Sequence, residues 1–188
     1  MLILASESPR RKELLKSLGA EFKVCPAAVE ELETGRILEE LPRKNALLKA
    51  QAVAERFPEA FVLGADTGVF NGSKMLGKPA STAEALAMLN SLSGKSHRVI
   101  SGVALICKNR QLCSSWCVVS QVTFRAFTQE EALSYMEKVN VMDKAGAYAI
   151  QEYPELLGAA WEGELENIIG LPLKKLQKEL LRYDLLPL

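Results

Sequence analysis

Short apolar runs alternate with helical patterns along this chain, and no other feature of the sequence restricts its fold as strongly. Residues 2–5 and 61–65 are apolar runs typical of buried strands. Ser8-Pro9 follows the first run, with a residue suited to the N-cap and a proline suited to the first helical position. Capping boxes predict two later helices, at Ser81 with Glu84 and at Thr128 with Glu131. The alternation predicts an α/β fold.

The charge balance restricts the partners. The chain has 23 basic and 23 acidic side chains, which argues against a dedicated nucleic-acid-binding protein because such proteins usually carry a basic excess. Its apolar runs are too short to cross a bilayer. Four cysteines without a neighbouring histidine resemble free thiols more than a zinc site. We therefore expect a cytoplasmic protein with no nucleic-acid or membrane partner.

Two arginines stand at the start of the first predicted helix, next to Ser6 and Ser8. Arg10 and Arg11 are unfavourable there because the N-terminal end of a helix is already positive. An anion would remove that conflict, since backbone amides, hydroxyls and guanidinium groups all bind phosphate. The alternative is a solvated pair of surface arginines.

A carboxylate follows the second apolar run. Asp66 and Thr67 are predicted at the carboxyl end of that strand, where ligands of α/β sheets bind. With the acidic pair Glu30-Glu31, Asp66 offers the oxygen ligands that Mg²⁺ prefers. The alternatives are a turn-forming aspartate and a solvated acidic loop.

Three lysines are possible phosphate ligands, although most lysines are simply exposed. Lys49 is beside the apolar face of a predicted helix, Lys78 is in the constrained turn Gly77-Lys78-Pro79, and Lys144 follows Asp143. The sequence Ser93-Gly94-Lys95-Ser96 imitates the end of a P-loop, but it lacks the first glycine and the preceding strand. We therefore reject a P-loop.

These pieces, taken in order, resemble the Maf family of nucleoside triphosphate pyrophosphatases, also called septum formation inhibitor proteins. The matching blocks begin with residues 4–15, Glu30-Glu31, Lys49-Ala50 and Gly64-Ala65-Asp66-Thr67, and continue with Gly77-Lys78-Pro79, residues 92–97, residues 143–151 and residues 169–173. The resemblance implies one domain over residues 1–188 with an α/β fold like that of inosine triphosphatases. A central mixed sheet would be flanked by helices, with two lobes around a cleft.

The resemblance also implies an activity and a set of roles. Arg11, Thr67 and Gln151 match the residues of members that cleave dTTP and UTP to the monophosphate and pyrophosphate. Asp66 would be the catalytic carboxylate and, with Glu30 and Glu31, would hold Mg²⁺ or Mn²⁺. The remaining phosphate ligands would be Ser6, Ser8, Arg10, Lys49 and Lys78. A homodimer and a role in excluding modified nucleotides or in arresting cell division are further expectations.

The chain departs from the family pattern beyond Gln151. Residues 152–156 replace a glycine-rich stretch, and residues 161–167 are unusually acidic. These departures leave the exact nucleotide preference open. Two alternatives are the same chemistry on a modified nucleotide, and a nucleotide-sensing regulator of septum formation that does not cleave its ligand.

Overall fold

The computed structural model describes residues 1–32 and 37–187, and it confirms the α/β prediction. Seven strands and six α-helices are found among the described residues. The strands are β1 (Leu2–Leu4), β2 (Phe22–Val24), β3 (Phe61–Asn71), β4 (Lys74–Leu76), β5 (Ser96–Cys107), β6 (Leu112–Thr123) and β7 (Ala160–Glu162). The helices are α1 (Pro9–Ser17), α2 (Leu41–Ala54), α3 (Thr82–Leu92), α4 (Gln129–Lys138), α5 (Leu165–Ile169) and α6 (Leu173–Arg182). In this part of the chain, no helix is long and apolar enough to cross a membrane.

The strands form one mixed sheet, as predicted. Their order is β2-β1-β3-β5-β6-β7, with β4 paired to β3. Strand β1 is parallel to β2 and to β3, whereas β3 with β4 and β6 with β7 are antiparallel. The parallel register opposes Leu4 to Leu63, so the residues after β1 and the second half of β3 extend in the same direction.

The chain divides into two compact units. The first unit comprises Met1–Thr67, Ser101–Val118 and Gly170–Leu188, and the second comprises Gly68–Ile100 and Val119–Ile169. The first has two apolar clusters, one containing Leu4, Leu15 and Leu176 and the other Ile3, Ala50 and Val62. The second unit has a single large cluster that includes the rings of Phe124, Tyr135 and Tyr148. The single domain and the two lobes around a cleft stay predictions.

Helix α1 begins as its sequence predicts. Ser8 is the N-cap, its hydroxyl accepts a hydrogen bond from the Arg11 amide, and Pro9 is the first helical residue. The helix stops at Ser17, and Gly19 then adopts a φ of +76°, which favours glycine. This capped junction fixes the direction in which Arg11 leaves the helix.

Helix α2 lies directly against the sheet because glycines face it from two strands. A Cβ at Gly64 would overlap the carbonyl oxygen of Ala46, and a Cβ at Gly102 would overlap the backbone of Pro42 and Arg43. Only glycine permits such a close approach. The close packing brings side chains of α2 within hydrogen-bonding distance of β3.

The strand predicted from the apolar run 61–65 was expected to end at Asp66 and Thr67, and that boundary is wrong. Strand β3 continues to Asn71, because its last residues pair with β4, Val69 opposite Leu76 and Asn71 opposite Lys74. The dipeptide Asn71-Gly72 is typical of a hairpin turn, and β3 and β4 form that hairpin with Gly72 at a φ of +60°. Asp66 and Thr67 therefore lie inside a long strand and not at its end.

Candidate active site

The Arg11 side chain is held by three hydrogen bonds within the first unit. Nε donates to the carbonyl oxygen of Gly170 at 3.0 Å, Nη1 to Ser6 Oγ at 3.2 Å, and Nη2 to Thr67 Oγ1 at 3.3 Å. Burial lowers the pKa of Arg11, while the charges of Asp66 and Glu31 act in the opposite direction. An arginine remains protonated under these conditions. The structure thus places a fixed cation here, and Arg11 is not a solvated surface residue.

The two serines of the first loop have different tasks. Ser6 is buried, and its Oγ accepts hydrogen bonds from the Ser8 amide and from Arg11. Ser8 caps the helix, so its hydroxyl is engaged with the Arg11 amide. Arg10 is partly exposed, and its charge contributes to lowering the Arg11 pKa. Ser6 is therefore part of the Arg11 cluster, and Ser8 shapes the helix start beside it.

Thr67 connects the cluster to two residues that the sequence analysis missed. Its Oγ1 lies 2.8 Å from Ser101 Oγ and 3.3 Å from the Gly170 carbonyl oxygen. Ser101 is fully buried in β5, and Gly170 has a φ of +133°. The block at residues 169–173 contains Gly170, so that block was the available indication; nothing in the sequence distinguished Ser101 from other serines.

Lys49 forms ion pairs with Asp66 and with Glu31 of the acidic pair. Its Nζ lies 2.9 Å from Asp66 Oδ1 and 2.8 Å from Glu31 Oε1. The side chains of Lys49 and Asp66 are only 11% and 15% exposed, whereas that of Glu31 is 51% exposed. Such a poorly hydrated pair interacts more strongly than a surface ion pair. Glu31 and Asp66 therefore lie around one ammonium, and their joint binding of a metal ion stays a prediction.

Asn45 is the second contact of Asp66, and the sequence analysis missed it. The residue is 3% exposed, and its Nδ2 donates to Asp66 Oδ2 at 3.1 Å. Asn45 precedes Lys49 by four positions on α2, so both side chains leave the same face. That spacing was the available indication, because a polar residue one turn before a candidate lysine faces the same neighbour.

The predicted metal ligands can be compared with this geometry. Among residues 1–32 and 37–187, no three His, Cys, Asp or Glu side chains form a ready-made metal cluster. Glu30 is exposed beside Glu31, while Glu31 and Asp66 converge on the single ammonium of Lys49. Mg²⁺ is usually bound by one or two carboxylates, with water and phosphate oxygens as its other ligands. Glu31 and Asp66 are two carboxylates that already lie around one cation. The donor set fits such an ion.

Two predicted ligands are in the second unit. Lys78 is exposed shortly after β4, and the carbonyl oxygen of the preceding Gly77 accepts a hydrogen bond from the Gly146 amide at 3.0 Å. Gln151 is also exposed. Its backbone follows Ala149, whose amide and carbonyl both bond to the Tyr135 hydroxyl at 3.0 and 3.3 Å. Both predicted ligands thus leave well-anchored turns of this unit.

Lys144, in contrast, is buried and bonds to other residues of the protein. Its ammonium is buried and bonds to the Asn140 carbonyl oxygen at 2.6 Å, to Asp143 at 2.9 Å and to Glu152 at 3.3 Å. These acceptors account for all three of its donors. Lys144 fixes the residues around Gln151 and has no donor left for a phosphate.

Comparisons with known proteins agree with this architecture. The structure of the Staphylococcus aureus Ham1 protein matches with a TM-score of 0.55 at 16% identity, covering 97% of this chain and 98% of that one, and therefore shows a shared fold. A family model described as Maf-like protein matches residues 1–183. The chain belongs to the Maf family.

Two curated relatives match nearly the whole chain. A dTTP/UTP pyrophosphatase of Akkermansia muciniphila is 43% identical over 178 residues, which cover 94% of this chain and 93% of the relative. A dTTP/UTP pyrophosphatase of Symbiobacterium thermophilum is 44% identical over 183 residues, covering 97% and 93%. The predicted family resemblance is confirmed.

Proposed function

We propose that this protein is a nucleoside triphosphate pyrophosphatase that hydrolyses dTTP and UTP to the monophosphate and pyrophosphate. The observation that carries the proposal is the Asp66 carboxylate, held on one side by Asn45 and on the other by Lys49 within the same unit as the partly buried Arg11. The names of the two relatives support the choice of substrate.

Asp66 is assigned the role of general base. Its two oxygens each accept one hydrogen bond, from Lys49 and from Asn45, and each keeps a further lone pair for a water molecule. Asp66 takes a proton from that water as the water oxygen bonds to the α-phosphorus. The bond from this phosphorus to the bridging oxygen breaks, and pyrophosphate leaves with that oxygen. Catalysis of this kind depends on positioning and charge stabilisation.

A divalent cation, Mg²⁺ or Mn²⁺, is part of the proposal. Glu31 and Asp66 would hold it, with Glu30 as a neighbouring carboxylate, and the ion would supply neutralisation of charge on the phosphate oxygens. Lys49 is bonded to the same two carboxylates, so its ammonium would lie next to such an ion and add a second positive charge for the phosphate oxygens. The Lys49 ammonium thus lies between the negative carboxylates of Glu31 and Asp66.

The remaining residues bind the substrate. Arg11 and Arg10 neutralise phosphate charge at the start of α1, with Ser6 and Ser8 as hydroxyl partners, and Lys78 adds a further cation. Thr67 keeps Arg11 in position. Gln151 recognises the base, because a side-chain amide offers both the donor and the acceptor that the imide edge of uracil or thymine requires.

The proposal is tested by pyrophosphate release from dTTP, UTP, CTP, GTP and ATP with Mg²⁺ or Mn²⁺. We expect release from dTTP and UTP that falls by a factor on the order of 10²–10³ in Asp66→Asn. Asp184→Asn is a matched control, because Asp184 is an exposed aspartate shortly after the end of α6. Equal turnover of Asp66→Asn and wild type would remove Asp66 from the mechanism.

The alternatives give different results in the same assay. A non-catalytic nucleotide sensor would bind triphosphates, as measured by calorimetry, and release no pyrophosphate from any of them. An enzyme for a modified nucleotide would leave dTTP and UTP intact and cleave a methylated or otherwise altered base. Either result would overturn the proposed substrate, and only the first would overturn the proposed reaction.

Location and assembly are also proposals. A reducing cytoplasm suits four free cysteines, of which Cys113 and Cys117 are exposed. A homodimer follows from the family resemblance and is tested by light scattering of the purified protein. A mass near the 20.6 kDa of one chain would contradict it.

A further inference from the structure

Both N–H groups and the oxygen of the Asn45 side-chain amide form hydrogen bonds. Nδ2 donates to Asp66 Oδ2 and to the Leu32 carbonyl oxygen, both at 3.1 Å, while Oδ1 accepts from the Leu32 amide at 2.8 Å. The side-chain amide therefore forms a pair of hydrogen bonds with the main chain of Leu32, and its second N–H donates to the Asp66 carboxylate. A buried amide with this set of partners specifies one geometry, because losing any partner leaves a desolvated polar group.

The acidic loop, residues 30–32, is bonded to α2 through both its main chain and a side chain. Leu32 directly follows Glu31, and the Glu31 carboxylate bonds to Lys49, which also bonds to Asp66. Asn45 and Lys49 are successive turns of α2, so one rigid helix holds both ends of the arrangement. The main chain of the loop is fixed by Asn45, and the acidic side chain of the loop is fixed by Lys49.

We propose that Asn45 is a positioning residue that keeps the acidic loop and Asp66 in register, so that Glu31 and Asp66 act on the same phosphate. The inference rests on the proposed pyrophosphatase function. Asn45 touches no substrate in this scheme; it acts through Leu32 and Asp66. An amide is required because aspartate cannot donate to a carboxylate and leucine can neither donate nor accept.

The kinetic test compares Asn45→Leu and Asn45→Asp with Asn71→Leu. Asn71 is the matched control, because its amide also donates to a main-chain carbonyl, that of Ser91 at 2.9 Å, but in the second unit. We expect both Asn45 variants to lower kcat for UTP about 10- to 100-fold, as loss of a residue that orients a ligand commonly does. KM should change little, since Arg11 keeps its own partners, and Asn71→Leu should keep the wild-type kcat.

Hydrogen exchange provides a measurement that does not need turnover. The Leu32 amide is bonded to Asn45 Oδ1, so Asn45→Leu should remove the protection of that amide, and Asn71→Leu should leave it unchanged. Asn45→Asp keeps an acceptor for this amide and serves if Asn45→Leu does not fold. Unchanged protection in Asn45→Leu, or wild-type kcat with only a lower Tm, would overturn the inference.

The two proposals fail differently. A wild-type protein that releases no pyrophosphate refutes the proposed function, and the exchange of the Leu32 amide then still decides whether Asn45 sets the register of the loop. A wild-type protein that is active, with Asn45 variants equally active, refutes the positioning role and leaves the function intact.

Discussion

Arg11 Nη2 donates a hydrogen bond to Thr67 Oγ1 at 3.3 Å, although 56 positions separate the two residues. Parallel pairing of β1 with β3 explains the contact, because Leu4 is opposite Leu63 and the chain continues in the same direction from both residues. Two of the three residues that the family resemblance connects with dTTP and UTP are therefore neighbours. Gly170 completes the group by accepting from Arg11.

Thr67→Val tests this contact. Valine has nearly the shape of threonine but no hydroxyl, so Arg11 loses one acceptor and becomes less well oriented. A hydrogen bond to a charged group contributes about 1.5–3 kcal/mol, so kcat/KM for UTP should fall about 10- to 100-fold. Thr67→Ser keeps the hydroxyl and should stay within a few-fold of wild type. Wild-type kcat/KM in Thr67→Val would show that the Thr67 hydroxyl does not orient Arg11.

Lys49→Met tests the cation shared by Asp66 and Glu31. Methionine retains the length of the side chain but removes the charge that holds both carboxylates. We expect kcat for dTTP to fall by a factor on the order of 10²–10³, because the group acts where charge develops. Lys44→Met, on the same helix and paired with Glu40 at the surface, should have almost no effect on kcat. Similar kinetics for the two variants would contradict the assignment.

Local patterns of the sequence predicted the elements that carry the site. The start of α1 followed from Ser8 and Pro9, because capping residues act over a few positions. The α/β class followed from the alternation of apolar runs with helical patterns. Arg11, Asp66 and Lys49 were found for the same reason, since charged residues beside buried elements are conspicuous.

Long-range contacts could not be predicted in the same way. The strand was expected to end at Asp66, but pairing with β4 extends β3 to Asn71, and pairing is a property of the fold. Ser101 and Asn45 are ordinary polar residues in the sequence, and only the register of β5 and α2 gives them their neighbours. Residue types reveal candidate chemistry, whereas tertiary contacts decide which candidates meet.

Gly64→Ala tests the close packing of α2 on the sheet. The added methyl group would overlap the Ala46 carbonyl oxygen and press on Ala50, so α2 must move away from β3. We expect the free energy of unfolding to fall by about 3 kcal/mol. Gly77→Ala is the control, because its Cβ would meet no atom within 4 Å, and it should change stability by at most about 0.5 kcal/mol. Urea denaturation measures both, and equal stability of the two variants would contradict the packing argument.

Gln151→Glu tests the proposed recognition of the base. The two side chains have the same shape, but a carboxylate cannot donate to a carbonyl of uracil or thymine. KM for dTTP and UTP should therefore rise about 10-fold or more, because the carbonyl of the base would face a carboxylate that offers it no donor. Gln121→Glu, an exposed change on β6, should leave KM unchanged. An unaltered preference for UTP over CTP in Gln151→Glu would exclude this residue from base selection.

His97→Gln tests the pH dependence of stability, and the chain contains no other histidine. His97 is buried among aromatic rings, its Nε2 lies 2.8 Å from the Tyr148 hydroxyl, and burial lowers its pKa from 6.5 to about 4. The unfolded chain therefore binds a proton at a higher pH than the folded protein does. Stability from this residue is fully present above pH 6.5 and is lost as the pH falls toward 4.

The expected difference is large enough to measure. Between pH 7.5 and 4.5 the wild type should lose about 2.5 kcal/mol more free energy of unfolding than His97→Gln, because glutamine keeps a partner for the Tyr148 hydroxyl and does not titrate. Carboxylates titrate in both proteins, so their contribution cancels in the comparison. Urea denaturation at half-unit pH intervals would show the two stability curves converging as the pH falls. Parallel curves would mean that the folded protein already accommodates a charged imidazole beside Phe124 and Tyr148, contrary to the burial of that ring.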